Sequence, residues 1–186
     1  MQRNIDLQKL EFSTVKSLKE LHSRWSEFDS GNWSESEWTK RVIVAIDDAC
    51  KNTATKLSGY RHWFGFKGAE RSNSSAGEWL FDYSWRAFRL TEDPWRWELL
   101  SVPVIAECEW QLGQEHISDD LTKVLIGSAE LGIFIHQACE GTQSYILDQV
   151  LALRNKGPER MLIACWSTEG FQFTSFDRSA NVRRFK

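Results

Sequence analysis

Only 3 of the 186 residues are proline, and no internal repeat or low-complexity segment occurs along the chain. With 41% hydrophobic and 26% charged residues, this excludes a collagen-like or disordered chain and fits a globular one. No apolar run approaches the roughly 20 residues that a bilayer span requires. The first residues, MQRNIDLQKL, hold no apolar core of signal-peptide length, so the expected location is cytoplasmic. Cys50, Cys108, Cys139 and Cys165 lie far apart with no CxxC pair, which argues for reduced thiols rather than a disulfide framework. His22, His62, His116 and His136 show neither HxxxH nor HExxH spacing, which removes the usual zinc motifs. The chain also lacks a Gly-rich phosphate loop, a GxSxG elbow and a dinucleotide fingerprint, so ATPase, hydrolase-elbow and dehydrogenase readings fall away. Neither sign of charge dominates: 23 basic against 26 acidic residues leave a net charge of -3. A uniformly basic nucleic-acid coat is excluded, whereas a local basic patch is not.

What the chain has in quantity is aromatic surface, with 10 Trp and 11 Phe. Each large ring can bury roughly 150–250 Å². Trp25 and Trp38 fall on helix faces, Trp79, Trp85 and Trp110 on strand faces, and all five read as core. Trp63, Trp95 and Trp97 lie in or beside loop segments and are candidates for a binding surface.

Periodicity predicts a first helix over 14–29 and a second opening at Ser34, where Ser34 and Glu37 form a capping box, and running to about residue 56. YRHWFGFKG predicts a short strand. EWLFDYSWRAF predicts a strand over 78–88 with Trp79, Phe81, Tyr83, Trp85 and Ala87 on one face and Asp82 on the other. A buried strand over 99–110, LLSVPVIAECEW, ends in two acids. Ser118 opens a helix to about 129, LGIFI is a short strand, 142–157 is a helix stopped by Gly157-Pro158, and ERMLIACWS and GFQFTSF close the chain as strands. The expected fold is α/β, a mixed central sheet flanked by helices in a single domain of 1–186. Within it, 1–33 is a helical extension, 34–136 the core and 137–186 a C-terminal helix and strands.

Acids are the exception in these apolar strands. Glu107 and Glu109 share one face, roughly 6.6–7 Å apart along the strand, with Val104, Ala106, Cys108 and Trp110 on the other. If the strands bearing Asp82 and Glu107 are hairpin neighbours, three carboxylates converge and raise one another's pKa unless a proton or cation intervenes. Mg²⁺ (or Mn²⁺), an oxygen-seeking ion held by one or two carboxylates, is the simplest partner. Read alone, the acids also fit a solvent-facing strand edge. Lys123 lies in a largely apolar helix, where it needs an anion or a route to water. At 100° per residue, however, the apolar group Ile117, Leu121, Val124 and Leu125 points Lys123 outward. Cys108, between two acids, is a poor nucleophile and reads as a buried small residue. RHWFGFKGAER and FDRSANVRRFK interleave aromatics with base, so Arg61, Lys67, Arg71, Arg183 and Arg184 are candidate nucleic-acid contacts.

The order helix–strand–strand–strand–helix–strand over about 34–136, with Asp82 on one strand and Glu107-Cys108-Glu109 on the next, resembles the PD-(D/E)XK, or restriction-endonuclease-like, nuclease superfamily. The resemblance implies that Asp82, Glu107 and the Cys108 backbone carbonyl hold Mg²⁺ (or Mn²⁺). It also implies an activity, endonucleolytic hydrolysis of phosphodiester bonds in DNA. Glu109 occupies the place where the superfamily usually has lysine, which makes Lys123 on the following helix the candidate replacement. The same departure allows an inactive descendant that binds nucleic acid or protein without cutting. Double-strand cutting would require two active sites, hence a homodimer.

Overall fold

The computed structural model describes residues 5–24, 34–53, 61–67, 81–92, 95–139, 141–153, 155–179 and 181–185. The elements are α1 (Leu7–Ser23), α2 (Glu35–Thr53), β1 (Arg61–Lys67), β2 (Tyr83–Glu92), β3 (Trp95–Glu109), α3 (Gln114–Ile126), β4 (Leu131–Gln137), α4 (Thr142–Leu153), β5 (Arg160–Ser167), β6 (Gly170–Asp177) and β7 (Val182–Phe185). The strands form one sheet in sequence order, β1 to β7. β3, β4 and β5 run parallel to one another, and every other neighbouring pair is antiparallel. This is the expected mixed α/β sheet flanked by helices. β7 is an additional strand drawn from the basic tail.

Alternation along the strands divides two cores. Val104, Ala106, Cys108, Ile133 and Ile135 pack with Leu10, Leu18, Val42 and Ile46 of α1 and α2. Ile105, Phe134 and Ile163 pack with Leu121, Val124, Ile146 and Val150 of α3 and α4. Helix α1 is therefore integral to one layer rather than an extension beside it. It begins seven residues earlier than its periodicity suggested because Asp6 caps it, accepting a hydrogen bond from the Lys9 amide at 3.0 Å, and it ends at Ser23. Trp25 and Phe28 of the predicted helix, and Trp79, lie outside the described residues. The capping box of α2 forms as expected, the Glu37 amide donating to Ser34 Oγ at 3.3 Å.

Much of the aromatic excess closes the α2 side of the sheet. Trp38 lies against Trp110 (5.9 Å between ring centroids), Trp166 (5.7 Å) and Phe171 (6.3 Å). The Trp110 indole donates to Thr39 Oγ1 at 2.7 Å, satisfying the polar atom that a buried Trp brings with it. Trp97, by contrast, is 49% exposed.

Three local expectations are corrected. Phe81 packs with the α3–α4 layer and not with Tyr83 and Trp85, because residues 81 and 82 form a bend before β2 and period-two alternation does not extend through it. Ser118 lies inside α3, which starts at Gln114 after Gly113; its hydroxyl instead accepts from Tyr145 Oη of α4 at 2.9 Å. Helix α4 stops at Leu153, before Gly157. Gly157 is buried, and a methyl group there would be driven into the backbone carbonyl of Leu125. Because backbone yields little, Gly157→Ala is expected to lower stability by about 1–3 kcal/mol, read as a shift of the denaturant midpoint.

Among the described residues no helix is long and apolar enough to cross a membrane. All four cysteines are free thiols.

Candidate metal centre

The β2–β3 hairpin pairs Tyr83 with Ala106. Asp82, one residue before β2, therefore reaches the carboxyl end of β3, where its Oδ2 accepts a hydrogen bond from the Cys108 amide at 3.0 Å. Strand alternation aims Glu107 and Glu109 at the α3 layer, while the Cys108 side chain is buried in the opposite core. Only its backbone is on hand for the acids. Burial and the surrounding carboxylates push the Cys108 thiol well above its ordinary range, in keeping with an inert side chain.

Glu107 is 3% exposed. Burial, with Asp82 next in weight, pushes its carboxyl up to about 9. Asp82 is raised too, chiefly by burial, against the lowering effect of the Cys108 amide and of Glu107. The two carboxyls lie close enough to share a hydrogen bond, which raises Glu107 and lowers Asp82. The other Glu107 oxygen, Oε1, is buried without a hydrogen-bond partner. Leaving such an oxygen unmatched costs free energy that a bound ligand can recover.

Helix α3 joins parallel β3 to parallel β4 and lies across both. Its Lys123 does not point away: the side chain is 36% exposed, and its charge acts on Glu107, Asp120 and Asp82. The amphipathic angle misleads because the layer beneath α3 includes the carboxyl ends of the strands as well as apolar surface. Lys123 pairs directly with Asp120 one turn earlier. Asp120 in turn shares a hydrogen bond with the Glu109 carboxyl, which burial raises, and the Gln111 amide donates to Glu109 Oε1 at 2.6 Å.

Asp82, Glu107, Glu109 and Lys123 are thus brought to one place. Sequence reasoning overlooked Asp120, although the Asp-x-x-Lys spacing of Asp120 and Lys123 places the two on one helix stripe. It weighed His136 only for zinc-motif spacing, whereas the structure sets it beside Glu109 in the β3–β4 register. His136 is fully buried, stacked on Phe134 and lowered by burial, so it walls the site as a neutral ring.

The basic candidates whose side chains are described, Arg183 and Arg184, are not gathered there. Arg183 and Arg184 are exposed on β7, four strands from β3, or roughly 19 Å at the usual strand spacing. Arg61 and Lys67 bound β1, whose backbone alone is described at these positions, and Arg71 lies outside the described residues.

The sequence matches no protein-family model and no curated protein.

Among the described residues no group of three or more His, Cys, Asp or Glu side chains is arranged to hold a metal. The donor set still fits a hard cation. Mg²⁺ is commonly held by one or two carboxylates, with water and substrate oxygens completing its shell. Asp82, Glu107 and the neighbouring Cys108 carbonyl are all oxygen donors, and Glu107 Oε1 is an unsatisfied one.

Proposed function

We propose that the chain is a metal-dependent nuclease that hydrolyses phosphodiester bonds in DNA, with Asp82, Glu107 and the Cys108 carbonyl as the holders of Mg²⁺ or Mn²⁺. The observation that carries this reading is the juxtaposition of half-buried Asp82 with buried Glu107, whose Oε1 has no hydrogen-bond partner, beside the charge of Lys123. Its place supports the reading as well, since ligands of open α/β sheets bind outside the carboxyl ends of parallel strands. So does the order α2–β1–β2–β3–α3–β4, which is the order on which the nuclease resemblance rests.

Bound there, the ion would lower the pKa of a water and neutralise charge developing on the phosphoryl group. Glu109, more exposed than Glu107, would be the group to accept a proton from an attacking water once its hydrogen bond with Asp120 opens. Lys123 offers a positive charge at the mouth of the site for a non-bridging phosphate oxygen. Glu109 in place of a lysine favours a second reading, a nuclease-fold module that binds nucleic acid without cutting it.

Incubation of supercoiled plasmid with the purified chain and millimolar Mg²⁺ or Mn²⁺ separates the two. Nicking that EDTA stops and Asp82→Asn abolishes is expected. Intact plasmid at every metal concentration would overturn the nuclease assignment, and retained plasmid binding would then favour the second reading.

A further inference from the structure

Glu107 Oε1 lies buried without a partner although an ammonium is close enough for its charge to act on Glu107 and Asp82. A lysine on a flexible four-carbon stem would ordinarily swing onto such a carboxyl pair. Here the Lys123 ammonium is bonded to Asp120 instead. Asp120 sits one helical turn earlier on α3 and is only 19% exposed. It is anchored from the β3 side by its hydrogen bond with Glu109. The lysine is thus held on its own helix by an acid that is itself held by the strand.

We propose that Asp120 is a positioning residue that tethers Lys123 away from Glu107, keeping the Asp82–Glu107 pair open to a divalent cation and the ammonium at the mouth of the site. The proposal rests on the metal-site reading above and adds to it the control of that site by α3. Loss of the tether would free Lys123 to fall onto the carboxyl pair, where its charge competes with the incoming cation. The lysine would then be an intrinsic inhibitor of metal binding, and Asp120 the group that suppresses it.

The test is Mn²⁺ binding to the full chain at fixed pH, followed by the electron paramagnetic resonance signal of the free ion. The proteins compared are wild type, Asp120→Asn, Asp120→Ala, Lys123→Ala and Asp120→Asn/Lys123→Ala. Asp120→Asn keeps the shape of the side chain and guards against a folding defect in Asp120→Ala. Affinity is expected to fall about tenfold in Asp120→Asn, within the range for residues that act behind a ligand, and to return to at least the wild-type value in the double variant. Rescue by removal of the lysine distinguishes a tether from a structural prop.

Undiminished affinity in both Asp120 variants would overturn the proposal. So would a double variant as weak as Asp120→Asn, which would make Asp120 a ligand or a structural residue. Both of these outcomes leave wild-type binding intact. A wild-type chain that binds no Mn²⁺ would instead overturn the metal-site reading, and this proposal with it.

Discussion

Glu107→Gln is expected to abolish metal-dependent cleavage, by at least about a hundredfold, since removal of a group merely behind a ligand already costs 10–100-fold. The same change should steady the metal-free protein above neutral pH. Glutamine keeps the shape of the side chain and can donate to Asp82, but it has no charge to bury. In the wild-type chain, burial and Asp82 raise Glu107 from 4.5 to about 9. An acid raised on folding contributes stability that is complete below its unfolded pKa and is lost as pH climbs through the folded one. Between about pH 5 and 9 the metal-free wild type should therefore lose up to about 1.4 kcal/mol per pH unit relative to Glu107→Gln. Asp82 is displaced in the same direction, and Glu107, at about 9, keeps its proton at neutral pH. A Mg²⁺ ion held there would displace that proton, so its stabilising effect should grow with pH in the wild type and vanish in the variant. Denaturant midpoints across this range, with and without Mg²⁺, measure both effects. Parallel pH profiles for the two proteins would refute the buried-carboxyl account of the site.

Glu11→Ala should be the most damaging change far from that site, with an expected loss of about 3–5 kcal/mol. Glu11 is fully buried in α1. One oxygen accepts from Ser175 Oγ of β6, and the other lies 3.6 Å from Arg160 Nε of β5. This hydrogen bond and the ion pair tie the first helix to the far half of the sheet. Alanine would leave the Arg160 guanidinium, 18% exposed, without its buried carboxylate, with Asp177 across the β5–β6 pair left to balance it. Replacing both partners by apolar residues, as in Glu11→Leu/Arg160→Met, should recover most of the loss, because the main penalty is the charge left without its carboxylate and not the missing bond. Equilibrium unfolding with an unchanged denaturant slope would measure it. A loss below about 1 kcal/mol in Glu11→Ala would show that the pair contributes little.

The candidate site was partly legible in the residues. The alternation in VIAECEW places Glu107 and Glu109 on one face, and the structure keeps them there. The separation of Asp82 from Glu107 allowed a hairpin, and the hairpin forms. Other features could not be read locally. Asp82 is aimed by a bend and not by strand alternation, so its place depends on the Cys108 amide that it meets across the hairpin. Lys123 seemed to face solvent on its helix because a helical wheel weighs only the apolar stripe beneath. The two strand ends that contribute acids beneath α3 come from elsewhere in the chain. His136 was weighed only as a zinc ligand, and its place beside Glu109 comes from the β3–β4 register; Asp120 was not read as a site residue, although its spacing from Lys123 puts both on one stripe of the helix.

The sequence by itself determined the order of the elements, the faces of the central strands and the capping box of α2. These follow from backbone periods of two and 3.6 residues and from hydrogen bonds between residues three or four apart. It also determined the uncharged runs LLSVPVIA and LGIFI of the central strands, against which Glu107 and Glu109 stood out. Only the tertiary structure decided that Glu107 is buried beside Asp82 and that the Asp120–Lys123 pair lies against the strand ends that carry the acids. It also decided that Arg183 and Arg184 lie at the far edge of the sheet. Burial and electrostatic potential at a side chain depend on what packs over it, and here those neighbours come from strands and helices remote along the chain.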